Sequence, residues 1–95
     1  MGKINFKKLR IETQIGVFQE VDLTKDLGNI VFSGATKIEE DNLARAIHGS
    51  DEDGLNLSEQ DCTMLINIAK NAGVKYSVIS ALQRAYNESK EAKTN

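Results

Sequence analysis

The chain contains one histidine, His48, and one cysteine, Cys62, two residue types that often act as catalytic base and nucleophile. Such a pair also needs a group that orients the histidine and donors for an oxyanion, and the sequence indicates neither. His48 is predicted in the last turn of a helix, where the helix dipole stabilises a partly charged imidazole. Cys62 is predicted as a small, half-buried residue near the start of another helix. We therefore predict that the protein is not an enzyme.

The acidic run Asp51-Glu52-Asp53-Gly54 is similar to part of a calcium-binding loop, in which acids alternate ahead of a central glycine. If Gly54 were that glycine, the first and last ligand positions would be Gly49 and Gln60, and neither is an acid. One cysteine and one histidine are too few for a zinc site. The glycines are isolated, so they form no phosphate-binding loop. The sequence predicts no metal, no cofactor and no small-molecule ligand.

The composition is typical of a soluble globular protein, with 40% hydrophobic and 27% charged residues in a chain of 95. This length predicts one domain over residues 1–95. No apolar run approaches the roughly 18 residues of a membrane span, and the start of the chain lacks the apolar segment of a signal peptide. One cysteine cannot form an internal disulfide, which favours a reducing compartment. We expect a cytoplasmic protein that does not bind membranes.

Charge is distributed unevenly along the chain, although the net charge is only −2. Residues 1–10 hold four basic and no acidic residues, whereas residues 11–62 hold twelve acidic and three basic residues. Residues 63–95 hold five basic and two acidic residues. The pattern predicts either opposed acidic and basic faces or charges that interleave in space, and the sequence leaves both open. Two Tyr, three Phe and no Trp do not favour a base-stacking surface.

Alternating apolar residues near the N-terminus predict a β-hairpin over about residues 3–12 and 17–23. Gly16 can adopt the positive φ that its connection needs. A bulge at Lys7-Lys8 would restore the alternation where the pattern changes phase. Thr24–Gly28 then predicts one helical turn closed by glycine, and Asn29–Ser33 is either a third short strand or a packed connector.

Three helices are predicted in the rest of the chain, from the helical spacing of their apolar residues. The first two each begin at a capping-box pair and end at a glycine: Thr36 with Glu39 to Gly49, and Ser58 with Asp61 to Gly73. Ser77 is predicted to cap the third, and residues 88–95 are predicted as a frayed tail. The sequence therefore predicts an α+β fold in which the N-terminal hairpin packs against three C-terminal helices. The exposed edge of so small a sheet predicts a homodimer.

The segment Leu65–Arg84 carries the most specific local pattern. Ala69 is small where two helices would cross, Gly73 takes the turn, and Val74 fills the space between the helices. The sequence Ile-Ala-x-x-Ala-Gly-Val-x-Tyr-x-x-Ile-Ser resembles the helix-turn-helix of lac-repressor-type and phage-repressor-type DNA-binding proteins. This resemblance implies that residues 65–87 bind DNA, and that five residues face the groove: Lys75, Tyr76, Ser77, Ser80 and Arg84. The same pattern is typical of an αα-hairpin with glycine at its turn, so both interpretations stay open.

Three other segments together resemble small uncharacterised proteins of phages and integrated mobile elements: Asp-Leu-Gly-Asn-Ile-Val-Phe-Ser-Gly-Ala at 26–35, Leu-Ala-Arg-Ala-Ile at 43–47, and Leu-Ser-Glu-Gln-Asp at 57–61. This resemblance implies a small accessory or assembly protein that binds another protein. Our leading hypothesis is a non-enzymatic protein-interaction module that binds another protein or itself. The alternative hypothesis is a sequence-specific DNA-binding regulator.

Overall fold

The computed structural model describes residues 2–92, and the side chains of residues 2–89. Over this part of the chain the fold is α+β, as predicted, with four helices and two small antiparallel sheets. The elements follow in this order: β1 (Gly2–Ile4), β2 (Leu9–Gln14), β3 (Val17–Val21), α1 (Thr24–Gly34), α2 (Ile38–His48), β4 (Leu55–Leu57), α3 (Glu59–Asn71) and α4 (Tyr76–Ala92). None of the described helices has the length and apolar character needed to cross a membrane.

The predicted N-terminal hairpin is present only in part. β2 and β3 form a hairpin around Gly16, whose φ is +79°, but β1 leaves this sheet and pairs with β4. A 3-10 turn, Phe6–Lys8, separates β1 from β2 at the position where we predicted a bulge. The register shift lies instead between Glu12 and Gln14. Oδ1 of Asn5 accepts from the N–H groups of Lys7 and Lys8 and caps this turn, and the Phe6 side chain is completely buried in the core.

The prediction for residues 24–33 is wrong, because α1 runs through both the predicted turn and Asn29–Ser33. Its buried residues recur at helical spacing: Thr24, Leu27, Gly28 and Val31. Gly28 does not end the helix. A Cβ atom placed on Gly28 would lie 2.7 Å from Cβ of His48, so this glycine marks the close approach of α1 and α2.

The three predicted C-terminal helices are present as α2, α3 and α4, although two of them begin differently from the prediction. At α2, the backbone N–H of Thr36 donates to Glu40 at 2.8 Å, and Glu39 takes no part. This hydrogen bond lowers the pKa of the Glu40 carboxyl. α4 begins at Tyr76, one residue before the predicted cap Ser77, and continues to Ala92 through much of the predicted tail. Residues 93–95 lie outside the described part.

The capping box predicted at the start of α3 is confirmed. The backbone N–H of Asp61 donates to Oγ of Ser58 at 3.0 Å, and the N–H of Ser58 donates to Oδ2 of Asp61 at 3.3 Å. Two backbone donors that the helix leaves unpaired are thereby satisfied.

We expect Ser58→Ala to lower the free energy of unfolding by about 1 kcal/mol, because it removes the acceptor for the Asp61 N–H. Ser58→Asn keeps a capping oxygen and is expected to remain close to the wild type. Urea unfolding followed by circular dichroism measures both variants. Equal loss in both would show that the cap is not what stabilises this helix start.

The core joins both sheets to all four helices. Large side chains from most of these elements have less than 2% of their surface exposed: Ile4, Phe6, Leu9, Leu27, Val31, Ile47, Leu57, Leu65 and Leu82. β1 and β2 also lie against α4. The backbone N–H of Lys3 donates to Oγ of Ser89 at 3.0 Å, and Nη2 of Arg84 donates to the carbonyl of Arg10 at 3.1 Å. The basic N-terminal and C-terminal segments of the sequence therefore meet in space.

Candidate functional site

His48 and Cys62 line different grooves of the molecule. His48 ends α2 and lies in a groove between α1 and α2 with Gly28 and Phe32. Its carbonyl accepts a hydrogen bond from Nζ of Lys25 at 3.1 Å. Cys62 is buried on α3 at the base of the groove between α3 and α4, and burial raises the pKa of its thiol. A raised pKa disfavours the thiolate that a cysteine nucleophile requires.

The acidic run at 51–54 forms a turn that leads the chain into β4. The carboxylate of Asp51 accepts from the N–H of Asp53 at 3.0 Å, and its carbonyl accepts from the N–H of Gly54 at 3.0 Å. The carbonyl of Glu52 accepts from Nδ2 of Asn5 at 3.1 Å, which ties the turn to the end of β1. Among the described side chains, no three of the His, Cys, Asp and Glu type are grouped closely enough to hold a metal ion.

The helices α3 and α4 are joined by a short turn that has the features predicted for residues 65–84. Ala69 is completely buried, and Gly73 has a φ of +79°. The N–H of Val74 donates back to the carbonyl of Ala69 at 3.0 Å, which closes the end of α3. Ile79 and Leu82 anchor α4 in the core with 6% and 0% of their surface exposed. These contacts hold the two helices in a fixed relative position.

Of the five residues assigned to the DNA-facing side of α4, the structure engages Arg84 in contacts with the hairpin. Lys75 and Tyr76 are exposed at its N-terminal end, where Tyr76 is 80% exposed, and Ser80 is half-buried one turn later. Arg84 follows Ser80 at i, i+4 spacing, and Ser77 precedes Arg84 at i, i+7 spacing, so both border the side of the helix that Tyr76 and Ser80 occupy. Arg84 bonds to the backbone of β2, and its guanidinium carbon lies 5.2 Å from the centroid of the Phe18 ring. Its donors are therefore partly committed to the hairpin.

Two residues that the sequence reasoning missed, Gln83 and Asn87, extend the open side of α4. With Tyr76 and Ser80 they follow the spacing i, i+4, i+7 and i+11, which places all four on one side of a helix. We call these four residues the α4 stripe. The stripe has no charged side chain, and its two amides border a groove of about 460 Å³ against α3. The helical spacing of polar residues in the sequence was the signal that could have found it.

The β2–β3 hairpin carries apolar side chains at its tip. Ile15 is 99% exposed and Val17 is 47% exposed, on either side of Gly16. Below the tip, the guanidinium carbons of Arg10 and Arg84 lie 4.3 and 5.2 Å from the centroid of the Phe18 ring. These are cation–π distances, so both arginines are held against one aromatic ring.

A second group of exposed apolar side chains lies where α1 meets α2. Phe32 is 53% exposed and Ile38 is 69% exposed. The guanidinium carbon of Arg45 lies 5.5 Å from the Phe32 ring centroid, and its Nε lies 3.3 Å from the Asp41 carboxylate. Arg45 thus lies over the Phe32 ring, and about half of the Phe32 surface stays open to solvent.

The arrangement offers three surfaces with different chemistry: an apolar hairpin tip, an apolar corner between α1 and α2, and the uncharged polar α4 stripe. The two apolar surfaces expose side chains that cannot hydrogen-bond, whereas the α4 stripe offers amide and hydroxyl groups. The raised pKa of Cys62 and its location in a different groove from His48 do not favour covalent chemistry. Comparisons with protein-family models, with curated proteins and with solved structures found no match to this chain.

Proposed function

We propose that this protein is a small non-enzymatic protein-interaction or assembly module that uses its β2–β3 hairpin to bind a partner. The observation that carries the proposal is the exposure of Ile15 and Val17 at the hairpin tip, at 99% and 47%. Exposed turns favour polar residues and glycine, and exposing these apolar side chains costs about 25 cal/mol for each Å² that a partner would remove from water. A partner that covers the tip recovers this free energy.

The shape of the hairpin supports the same role. Its base is fixed because Leu9 and Ile11 are buried in the core, while the side chains from Thr13 to Val17 are exposed. A fixed base reduces the conformational entropy that a partner must remove on binding. The resemblance of the segments 26–35, 43–47 and 57–61, taken together, to small phage and mobile-element proteins is in keeping with an assembly role.

Site-specific photo-crosslinking in cells that express the protein tests this proposal. A photoreactive residue at Ile15 is expected to give discrete crosslinked species, because the tip lies against a partner. The same residue at Asn71, which is exposed at the end of α3, is the matched control and is expected to give fewer. Equal crosslinking at the two positions, or none at Ile15, would contradict the hairpin as the interaction surface.

DNA binding through α3 and α4 is the second candidate, and the α4 stripe is the observation that favours it. Its amides, Gln83 and Asn87, are exposed, and such amides can read adenine edges in the major groove. Lys75 and Tyr76 at the N-terminal end of α4 are placed to contact phosphates. Arg84, which this alternative also assigns to DNA, would have to leave the Arg10 carbonyl.

Fluorescence anisotropy with a labelled DNA duplex, repeated across salt concentrations, tests the second candidate. A DNA-binding protein is expected to show a steep fall of log affinity with log salt. Lys75→Ala should reduce that slope by about one, because one phosphate contact is lost. Lys37→Ala, between α1 and α2, is the matched control and should leave the slope unchanged. Absence of binding at low salt would exclude this candidate.

A further inference from the structure

The outer edge of β3 presents backbone groups that the hairpin does not use. In an antiparallel pair, the N–H and C=O groups of alternate residues point toward the partner strand and away from it. The carbonyl of Arg10 accepts from Arg84 on the α4 side of β2, so Arg10 points away from β3. Arg10 is paired with Glu20 and Glu12 with Phe18, so the backbone groups of Glu20 and Phe18 point to the free edge.

A second hydrogen bond gives the same orientation. The N–H of Leu23 donates to the carbonyl of Phe6 at 2.9 Å, so odd-numbered residues after Val17 point toward the chain of β2. The even-numbered residues of β3 therefore point outward. Two N–H donors and two C=O acceptors, those of Phe18 and Glu20, are left for another strand.

β3 lacks three of the devices that usually prevent pairing at a sheet edge, namely lysine, proline and a bulge, and its one charged residue is Glu20. Its sequence, Val-Phe-Gln-Glu-Val, contains no lysine and no proline. The hairpin's register shift lies on β2 and leaves β3 regular. Along β3, Val17, Gln19 and Glu20 are exposed, so a strand can approach this edge.

We propose that two copies of this chain associate by antiparallel pairing of their β3 edges, with Gln19 on the two-fold axis. In this register Phe18 of one copy pairs with Glu20 of the second copy, and the outward groups of both residues form four backbone hydrogen bonds. The two hairpins become one four-stranded sheet, which is more stable than an isolated two-stranded one. The inference rests on the proposed function, because it names the partner of the hairpin as a second copy.

Charge complementarity selects this register. Glu20 of the second copy would lie opposite Phe18, against which the guanidinium groups of Arg10 and Arg84 are held at 4.3 and 5.2 Å. Among the described side chains, the one ion pair within 4 Å joins Arg45 to Asp41, so Glu20 is available for this contact. The two-fold axis repeats the contact, which gives two such clusters per dimer. A register centred on Glu20 would instead place two like charges opposite each other.

Sedimentation equilibrium of the full chain measures the dimer directly. We expect a concentration-dependent dimer for the wild type. Glu20→Arg should raise the dissociation constant by about tenfold or more, because it places a third positive charge beside two arginines. Glu52→Arg makes the same charge change in an exposed turn and is the matched control, expected to leave the dimer unchanged. Circular dichroism confirms that each variant is folded.

Two further variants test the register and the edge. Gln19→Cys is expected to form a disulfide between copies under mild oxidation, because residues on the axis face each other. Val17→Cys is the control and should not, since in this register it lies opposite Val21 of the second copy. The wild-type chain, whose one cysteine, Cys62, is buried, gives the background level of disulfide-linked dimer. Glu20→Pro removes an outward N–H without breaking the β2–β3 ladder, and it should abolish the dimer.

A wild type that stays monomeric at high concentration would overturn the inference. A dimer that survives Glu20→Pro and Glu20→Arg would overturn it too, because such a dimer uses another surface. Photo-crosslinking at Ile15 tests the proposed function independently of self-association. Crosslinks to a different protein, together with a monomeric chain, would support the interaction module and reject self-association.

Discussion

Phe6→Ala is expected to lower the free energy of unfolding by about 3–5 kcal/mol, which is the usual loss when a buried phenylalanine is truncated. Phe6 has none of its surface exposed, so the substitution removes apolar contacts and leaves a cavity. The total stability of a domain of this size is about 5–15 kcal/mol. The variant should therefore be close to unfolding at physiological temperature.

The position of Phe6 explains why this one side chain carries so much of the stability. It belongs to the 3-10 turn between β1 and β2, and these strands belong to different sheets. Its carbonyl also accepts from the N–H of Leu23, just before α1. Loss of the ring would loosen the attachment of both sheets to the helices.

Urea unfolding measured by circular dichroism tests Phe6→Ala. Lys8→Ala in the same 3-10 turn is the matched control, because Lys8 is exposed, and it should change the free energy of unfolding by less than about 0.5 kcal/mol. If the two variants lost similar amounts, the Phe6 ring could not be packed as the structure describes.

The C-terminal helices were predictable because their signals are local. The capping box at Ser58 and the positive φ of Gly73 depend on neighbours a few residues away in the chain. The spacing of Ile79 and Leu82 identifies the buried side of α4 without any knowledge of the fold. Strong local signals of this kind survive tertiary packing.

The strand pairing was not predictable, because it depends on contacts distant in sequence. β1 alternates in the same way as β2, yet it pairs with β4, which begins at Leu55. Three residues are too few to distinguish a short strand from the loop before it. The prediction for Asn29–Ser33 was wrong for a different reason, since a short apolar run fits a strand as well as one side of a helix.

The candidate surfaces were predicted less completely than the fold. The pattern at residues 75–84 predicted that α4 carries a binding surface. It could not show that Arg84 donates a hydrogen bond to the carbonyl of Arg10, which is far away in the chain. The charge distribution identified basic segments at both ends of the chain. The contact between α4 and β2 brings these two segments together in space. The sequence predicted an exposed edge in a small sheet, but the outward orientation of Phe18 and Glu20 on β3 follows only from the pairing of β3 with β2.

Gly28→Ala is expected to lower the free energy of unfolding by about 1–2 kcal/mol, although alanine favours a helix more than glycine does. Higher helix propensity would stabilise the variant by about 1 kcal/mol. Overpacking typically costs about 1–3 kcal/mol. The cost of overpacking should exceed the gain in helix propensity here, because the added Cβ would lie 2.7 Å from Cβ and 2.9 Å from Cα of His48. Backbone atoms cannot rotate away as the end of a side chain can, so α1 and α2 must separate. Gly28→Val adds two more carbons at the same contact, and its loss should be larger.

Asn29→Ala is the matched control for Gly28→Ala, because Asn29 is the next residue of α1 and its side chain is exposed. It should stabilise the protein by a few tenths of a kcal/mol through helix propensity alone. Thermal and urea unfolding of the two alanine variants should therefore give opposite signs. If both variants were more stable than the wild type, α1 and α2 could not approach as closely as Gly28 and His48 indicate. The corner that exposes Phe32 and Ile38 would then have a different geometry, because those side chains are positioned by the same pair of helices.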